Sequence, residues 1–304
     1  MEYTPHTKNG EVMLMKKDVS KRRPGRKRLL TSKDCLGLVL AWTRTRGSMF
    51  TLQLIFGMTG SAVSINIRFG RRLLIQVLKN RKDSKVQIPS DKVIESYKES
   101  IAKKYPSLQG VWCTMDGVKL NLQQSPNCFI QSRFYNGWTH DHYVTSVLGF
   151  TPAGTITVAC TNVPGSIHDS RIAEWGGIYR KLQDVFKQNG GKCTVDSAFS
   201  KRKFNFLIKL SQSLPVGDRE EILVNKDATS MRQLAEWGMR MFQSSFPRIK
   251  DRIIYEEQGE RRLILQMLIL LFNYRANTVG INQILNVYMP ELNVPGNVFN
   301  PQRQ

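Results

Sequence analysis

Two short apolar segments of the chain each carry a single aspartate. Asp116 lies in Val-Trp-Cys-Thr-Met-Asp-Gly117, and Asp196 lies in Lys-Cys-Thr-Val-Asp-Ser197. A carboxylate among apolar residues is costly unless it is paired, hydrogen-bonded or bound to a cation. Because two such segments are followed by an acid on a helical pattern, Glu236, one common explanation is needed. The pattern predicts a cluster of carboxylates that holds a cation.

The net charge restricts the class of partner. The 304 residues include 45 Lys and Arg against 24 Asp and Glu, which gives a formal net charge of +21 and a pI near 10.0. Such an excess favours a polyanion, nucleic acid first and an anionic membrane surface second. The most apolar stretch, Leu263 to Phe272, is too short to cross a bilayer, and the basic start has no signal-peptide core. We therefore expect DNA as the partner and no membrane.

The cysteines indicate a reducing environment. They are odd in number and widely spaced, with no Cys-x-x-Cys pair of the kind found in zinc ribbons and redox motifs. They are Cys35, Cys113, Cys128, Cys160 and Cys193. We expect reduced thiols in an intracellular protein.

A dense basic run lies near the amino terminus, in a segment that we expect to be a disordered tail. Such a run suits nuclear import or phosphate binding, and a solvated tail without either role is the alternative. The predicted DNA contacts in the run are Lys21, Arg22, Arg23, Arg26, Lys27 and Arg28. From this run we predict a nuclear protein.

The next segment has the order of a helix-turn-helix unit. An apolar helical pattern begins near Ser32, and the turn Gly57-Met-Thr-Gly-Ser61 precedes a second apolar pattern over residues 62–78. A recognition helix needs short polar side chains near its start and arginines beyond them to hold phosphates. Here these are Ser61, Ser64, Arg68, Arg71 and Arg72. The alternative is an ordinary three-helix packing unit with a basic face.

Beyond the helices the periodicity changes to short strands. Strands are predicted at 111–115, 142–150, 155–161 and 192–196, with a helix to about Gln188 before the last of them. The second and third strands flank a Pro/Gly turn and are predicted to form an antiparallel hairpin. This is the ribonuclease H-like order, so the predicted fold is α+β, with an N-terminal all-α module before a mixed sheet flanked by helices. The expected divisions are a tail at 1–30, a helix-turn-helix module at 31–80, a linker at 81–108, a nuclease domain at 109–285 and a tail at 286–304. Within the linker, a short amphipathic helix is predicted from Asp91 to Lys104.

Five motifs in this part of the chain occur in the order of a known family. The succession is Met-Asp-Gly117, Tyr-Asn-Gly137, Pro-Gly-Ser-Ile-His-Asp-Ser170, Val-Asp-Ser-Ala-Phe199 and Glu-Trp-Gly-Met-Arg-Met-Phe242. Over residues 110–285 it resembles the PIF/Harbinger DDE transposases and the nucleases derived from them. The chain departs from the family at Val195, where a glycine is usual, and at Phe199, where a tyrosine is usual. Neither departure removes a carboxylate.

The resemblance implies a DNA endonuclease or transposase with a three-carboxylate site. Asp116, Asp196 and Glu236 would hold two divalent ions, normally Mg²⁺ or Mn²⁺, and Asp169 is a further candidate ligand. Two ions about 4 Å apart activate a nucleophile and stabilise the leaving oxygen of a phosphodiester, and hard oxygen ligands suit such ions. The resemblance also implies DNA as substrate, with a Myb-like DNA-binding partner protein and a homo-oligomer as possibilities.

Each acid also has a structural explanation without a metal. Asp116 could begin a turn, and Asp196 could cap a helix. Glu236 could pair with Arg240 one turn later, and Asp169 could be a helix N-cap. For the whole chain the alternative function is an inactive, transposase-derived DNA-binding or regulatory protein. RNA binding is disfavoured because the chain lacks an aromatic RNP-like pattern.

Overall fold

A computed structural model describes residues 30–199, 204–209, 218–253, 258–279 and 282–292. The expected basic tail lies outside these ranges, apart from residue 30, as do its predicted DNA contacts Lys21, Arg22, Arg23, Arg26, Lys27 and Arg28. Most of the expected C-terminal tail lies outside them as well.

Three helices form the N-terminal unit: α1 (Ser32–Arg44), α2 (Phe50–Phe56) and α3 (Gly60–Asn80). Helix α1 begins with a reciprocal capping box between Thr31 and Asp34. Gly57 ends α2 with a φ of +60°, and the axes of α2 and α3 then differ by 89°. This geometry suits a helix-turn-helix, whose recognition role stays a prediction. In the described part no single helix is long and apolar enough to span a membrane; α2 and α3 would pass only as one bent pair.

The segment expected to be a linker is packed into the core. It contains α4 (Asp91–Lys104), with the bounds predicted from the sequence. Ile94, Tyr97 and Ile101 of α4 are buried, and the helix packs against the first strand. The helix within the expected linker at 81–108 is therefore packed, because the sheet covers the apolar face of α4.

The strands of the described residues form one mixed sheet in the order β4-β3-β1-β5-β6, with β2 pairing with the start of β3. Neighbours β1, β3 and β4 are antiparallel, whereas β5 and β6 run parallel to β1. The predicted hairpin of β3 and β4 is present. The strands are β1 (Val111–Asn121), β2 (Tyr135–Asn136), β3 (Asp141–Phe150), β4 (Ile156–Pro164), β5 (Lys192–Val195) and β6 (Leu207–Lys209).

Helices cover both faces of this sheet. The helices that follow β1 along the chain are α5 (Cys128–Phe134), α6 (Asp169–Trp175), α7 (Ile178–Asn189), α8 (Arg219–Ser245), α9 (Gln258–Val279) and α10 (Gln283–Tyr288). Gly238 of α8 lies against the ring of Phe150, and Gly176, just after α6, lies against Cys160. Cys160 pairs with Val147, so the two side chains point to the same face of the sheet. Val147 and Phe150 are three residues apart on β3, and side chains alternate along a strand, so Phe150 points to the opposite face. Helices α8 and α6 therefore lie on opposite faces.

The single helix predicted to run to about Gln188 is two helices. Gly177 has a φ of +66°, which separates α6 from α7.

Candidate active site

Asp116 lies at the point where one neighbouring strand stops. Strand β1 continues to Asn121 beside β3, but its pairing with β5 ends at Met115 opposite Val195. The expectation that the first strand ends at Asp116 is wrong, because the antiparallel pairing with β3 extends the strand. Between Met115 and the bridge of Leu122 to Ile253, the β5 side of β1 has no strand partner among the described residues. The first acid therefore faces a gap in the sheet.

Asp196 comes directly after β5, so it occupies the position on that strand that corresponds to Asp116 on β1. Neighbouring strands lie about 4.8 Å apart, so the register brings the two acids side by side. Each carboxylate accepts the N–H of the following residue, Gly117 at 2.8 Å and Ser197 at 2.6 Å. The two acids that the sequence singled out are therefore close neighbours with the same local geometry.

The electrostatics of Asp116 reflect a crowded carboxylate site. Burial raises the pKa of Asp116, the N–H of Gly117 and the charge of Arg232 lower it, and the charges of Asp196 and Asp169 raise it further. Opposite charge favours ionisation of an acid and like charge disfavours it. The pKa of Asp116 is therefore affected by two other carboxylates, Asp196 and Asp169, and by the guanidinium of Arg232.

Asp169 approaches the other acids from the face of the sheet that α6 covers, opposite to the face that α8 covers. It is the first residue of α6, and its carboxylate lies over Gly117, where an added Cβ would be only 2.6 Å from Asp169 Oδ2. Burial raises the pKa of Asp169, His168 and Lys119 lower it, and Asp196 raises it. The helix N-cap is His168, so the proposed capping role of Asp169 is wrong.

Arg232 lies between Asp196 and Glu236. Its Nη1 is 3.6 Å from Asp196 Oδ1, and its Nε is 4.0 Å from Glu236 Oε1 one turn later on α8. Glu236 is 46% exposed and its ion pair is with Arg232, whereas the sequence suggested Arg240. Sequence reasoning missed Arg232, although its spacing of four residues before Glu236 was a visible signal.

The structure therefore brings together Asp116, Asp196, Asp169 and Arg232, and connects Glu236 to them through Arg232. In this conformation no three His, Cys, Asp or Glu side chains of the described residues are arranged around one metal position. Asp116 and Asp196 are neighbours, whereas Arg232 contacts both Asp196 and Glu236, so a shared metal site for the predicted acids stays a prediction.

A family comparison covers this region. The family described as DDE superfamily endonuclease matches residues 115–273, just over half of the chain. The chain belongs to the DDE superfamily endonucleases. All four acids discussed above lie within the matched range. Searches of curated proteins and of solved structures found no match.

The side chains predicted to contact DNA in the N-terminal unit of this endonuclease divide into two groups. Ser61, Ser64, Arg68 and Arg72 are exposed. Arg71 is 8% exposed, with its guanidinium 5.2 Å from the centre of the Trp42 ring and its Nη2 2.7 Å from Glu260 Oε2. The expectation that Arg71 faces DNA is wrong, because its charge is used inside the protein to join α3 to α9.

Proposed function

We propose that this DDE endonuclease is of the PIF/Harbinger type and cuts DNA phosphodiesters with divalent ions held by Asp116, Asp196 and Glu236, assisted by Asp169. The observation that carries the proposal is the register of β1 and β5, which sets two acids side by side beside a helix with a third. The strand order supports a ribonuclease H-like domain, because three antiparallel strands are followed by helices and a parallel strand bearing the second acid.

The donor chemistry fits a hard divalent cation. Carboxylate oxygens are the ligands that Mg²⁺ and Mn²⁺ prefer. The four carboxylates of Asp116, Asp169, Asp196 and Glu236, with one compensating guanidinium, leave excess negative charge, which a bound cation would neutralise. When bound, two such ions supply an activated nucleophile and a stabilised leaving oxygen.

The residues of the chain have separate tasks in this proposal. The N–H groups of Gly117 and Ser197 hold the carboxylates of Asp116 and Asp196 in fixed orientations. Arg232 balances the acids while no cation is bound. Because Arg232 and Glu236 are partly exposed, both side chains can change rotamer, which frees Glu236 to join the aspartates.

Plasmid nicking in Mn²⁺ tests the assignment. Asp116→Asn and Asp196→Asn should each abolish nicking, whereas affinity for a labelled duplex in EDTA should be unchanged. Asp184→Asn, on the exposed side of α7, is the matched control and should nick at the normal rate. Normal cleavage by both site variants would contradict the assignment.

An inactive DNA-binding protein is the second candidate, favoured by the contact of Arg232 with Asp196 and Glu236. A measurement of metal binding distinguishes the nuclease from the inactive protein. A ligand that binds only the folded state raises the thermal midpoint, so Mn²⁺ should stabilise the native protein and not Asp116→Asn. Equal midpoints with and without Mn²⁺ in the native protein, together with no nicking, would favour the inactive protein.

A further inference from the structure

A basic groove lies along the outer edge of β4. The cavity measures about 670 Å³ and is bounded by side chains from α3, α7, α9 and the segment that follows α3. We call it the edge groove. Its cationic side chains are all exposed, and they are Lys79, Lys85, Lys181 and Arg262.

The charged side chains that line the edge groove are all positive among the described residues. No Asp or Glu of the described residues lines it. Within the same residues, none of the four cations has a carboxylate within ion-pair distance. The lining also includes amide side chains such as Gln87 and Gln266, which can donate hydrogen bonds to anionic oxygens. A concave surface of this composition suits a polyanion.

The register of the sheet fixes the distance from the edge groove to the acids. Asp116 pairs with Leu148, and Leu148 pairs with Ala159, which lines the groove. Two strand spacings amount to about 10 Å. Ala159 in the groove wall therefore lies in the same row of paired residues across the sheet as Asp116.

Helix α6 gives a second, independent measure. It starts at Asp169, beside the acids, and is followed by Gly176, which packs on Cys160 in the groove wall. Its seven residues span about 10 Å at 1.5 Å per residue. Both routes place the wall of the groove at Ala159 and Cys160 about 10 Å from Asp116 and Asp169.

We propose that the edge groove binds the phosphate backbone of the substrate DNA to one side of the bond that is cut. Successive phosphates of one strand lie about 3.4 Å apart along the duplex axis, so about 10 Å corresponds to roughly three phosphates. The cations come from separate elements and are exposed, which suits a strand passing along the groove better than one small anion held by converging donors. Contacts of this kind position DNA without reading its sequence. The inference rests on the proposed function, since it takes DNA as substrate.

Removing charge from the groove provides the first test. The groove variant carries Lys79→Gln, Lys85→Gln and Lys181→Gln, and the control carries Lys92→Gln, Lys103→Gln and Lys187→Gln, all exposed residues that do not line the groove. Anisotropy of a labelled duplex is measured in EDTA over a salt series. Each lost phosphate contact should reduce the salt slope by about 0.9. We expect the slope to fall by about 2 to 3 and affinity to fall roughly tenfold or more in the groove variant alone. Equal losses in the two variants, or none, would overturn the proposal.

A footprint on the native protein covers the case in which the groove variant does not fold. Cys160 lines the groove and is half-buried, and burial raises the pKa of its thiol. Alkylation by iodoacetamide, followed by mass spectrometry, should slow several-fold at Cys160 when DNA saturates the protein. An unchanged rate would overturn the proposal. Equal protection by inorganic phosphate would do so too, because it would indicate a site for a small anion.

The two proposals can fail separately. Both groove measurements are made without metal, so they do not depend on cleavage. Groove binding with no nicking by the native protein would contradict only the nuclease assignment. Loss of nicking in Asp116→Asn with unaltered binding by the groove variant would contradict only the edge groove.

Discussion

The charge balance among the acids depends on the guanidinium of Arg232. It lies within 4.0 Å of carboxylate oxygens of both Asp196 and Glu236, and its charge lowers the pKa of Asp116. A cation entering between these acids competes with a positive charge that is already there. We therefore expect Arg232 to stabilise the metal-free protein and to weaken the binding of a metal ion.

Replacing Arg232 tests this competition. Arg232→Gln should lower the thermal midpoint in EDTA and tighten Mn²⁺ binding roughly tenfold, because a unit charge about 4 Å away in a partly exposed site contributes on the order of 1 kcal/mol or more. Titration calorimetry measures the affinity. Arg240→Gln, exposed on the same helix, is the control and should leave it unchanged. Weaker binding in Arg232→Gln would show that the guanidinium supports the ions instead.

Gly117 is required by the approach of Asp169 to β1. A methyl group at this position would be 2.6 Å from Asp169 Oδ2, so Gly117→Ala should displace the carboxylate and cost about 1–3 kcal/mol. The free energy of unfolding in urea measures the cost. In an Asp169→Ala background the same substitution should cost much less. Equal costs in both backgrounds would mean that the two residues do not act on each other.

At the scale of elements, the sequence predicts what local interactions decide. The bounds of α4 follow from its own apolar spacing and were predicted to the residue. The length of β1 depends on β3, some thirty residues away, and the break between α6 and α7 depends on one left-handed glycine. The pair Asp116 and Asp196 was likewise predictable from burial cost. The position of Asp169 was not, because it comes from helix packing across the sheet.

Helix α8 carries Arg232 and Glu236, and its distance from the sheet is set by Gly238. A Cβ there would be 2.5 Å from the ring of Phe150, which is fully buried. Gly238→Ala should therefore cost about 1–3 kcal/mol by overpacking and reduce nicking, because the helix must move away from the aspartates. Gly37→Ala is the control: in α1 an added Cβ would meet no described atom within 4 Å, so a gain of about 0.5–1 kcal/mol is expected. Urea denaturation compares the two, and Phe150→Leu should restore part of the loss. No recovery in that double variant would contradict the proposed contact.

At the scale of the whole molecule, the N-terminal helices and the nuclease domain are joined by ion pairs and hydrogen bonds. Glu260 of α9 binds both Arg71 and Arg72 of α3, at 2.7 and 3.1 Å. Arg46 pairs with Asp251, and Arg248 donates to the carbonyl oxygen of Gly47 at 2.6 Å. The exposed side of α3, where DNA contacts are predicted, is consequently held in a fixed relation to the acids. These contacts join the expected module at 31–80 to the expected domain at 109–285, whose independence as folding units is still to be tested.

Glu260→Gln tests whether the two parts unfold together. Arg71 is buried, so loss of this carboxylate removes a charge partner in a poorly solvated place, and breaking such a pair costs about 3–5 kcal/mol. Arg72 is 61% exposed, so Arg72→Gln removes an exposed pair with the same carboxylate and should cost less than about 1 kcal/mol. Both variants should unfold in urea in a single transition, followed by circular dichroism and by tryptophan fluorescence. If Glu260→Gln gave two transitions, the N-terminal helices would be a separate folding unit, and α3 would not be held rigidly beside the carboxylates.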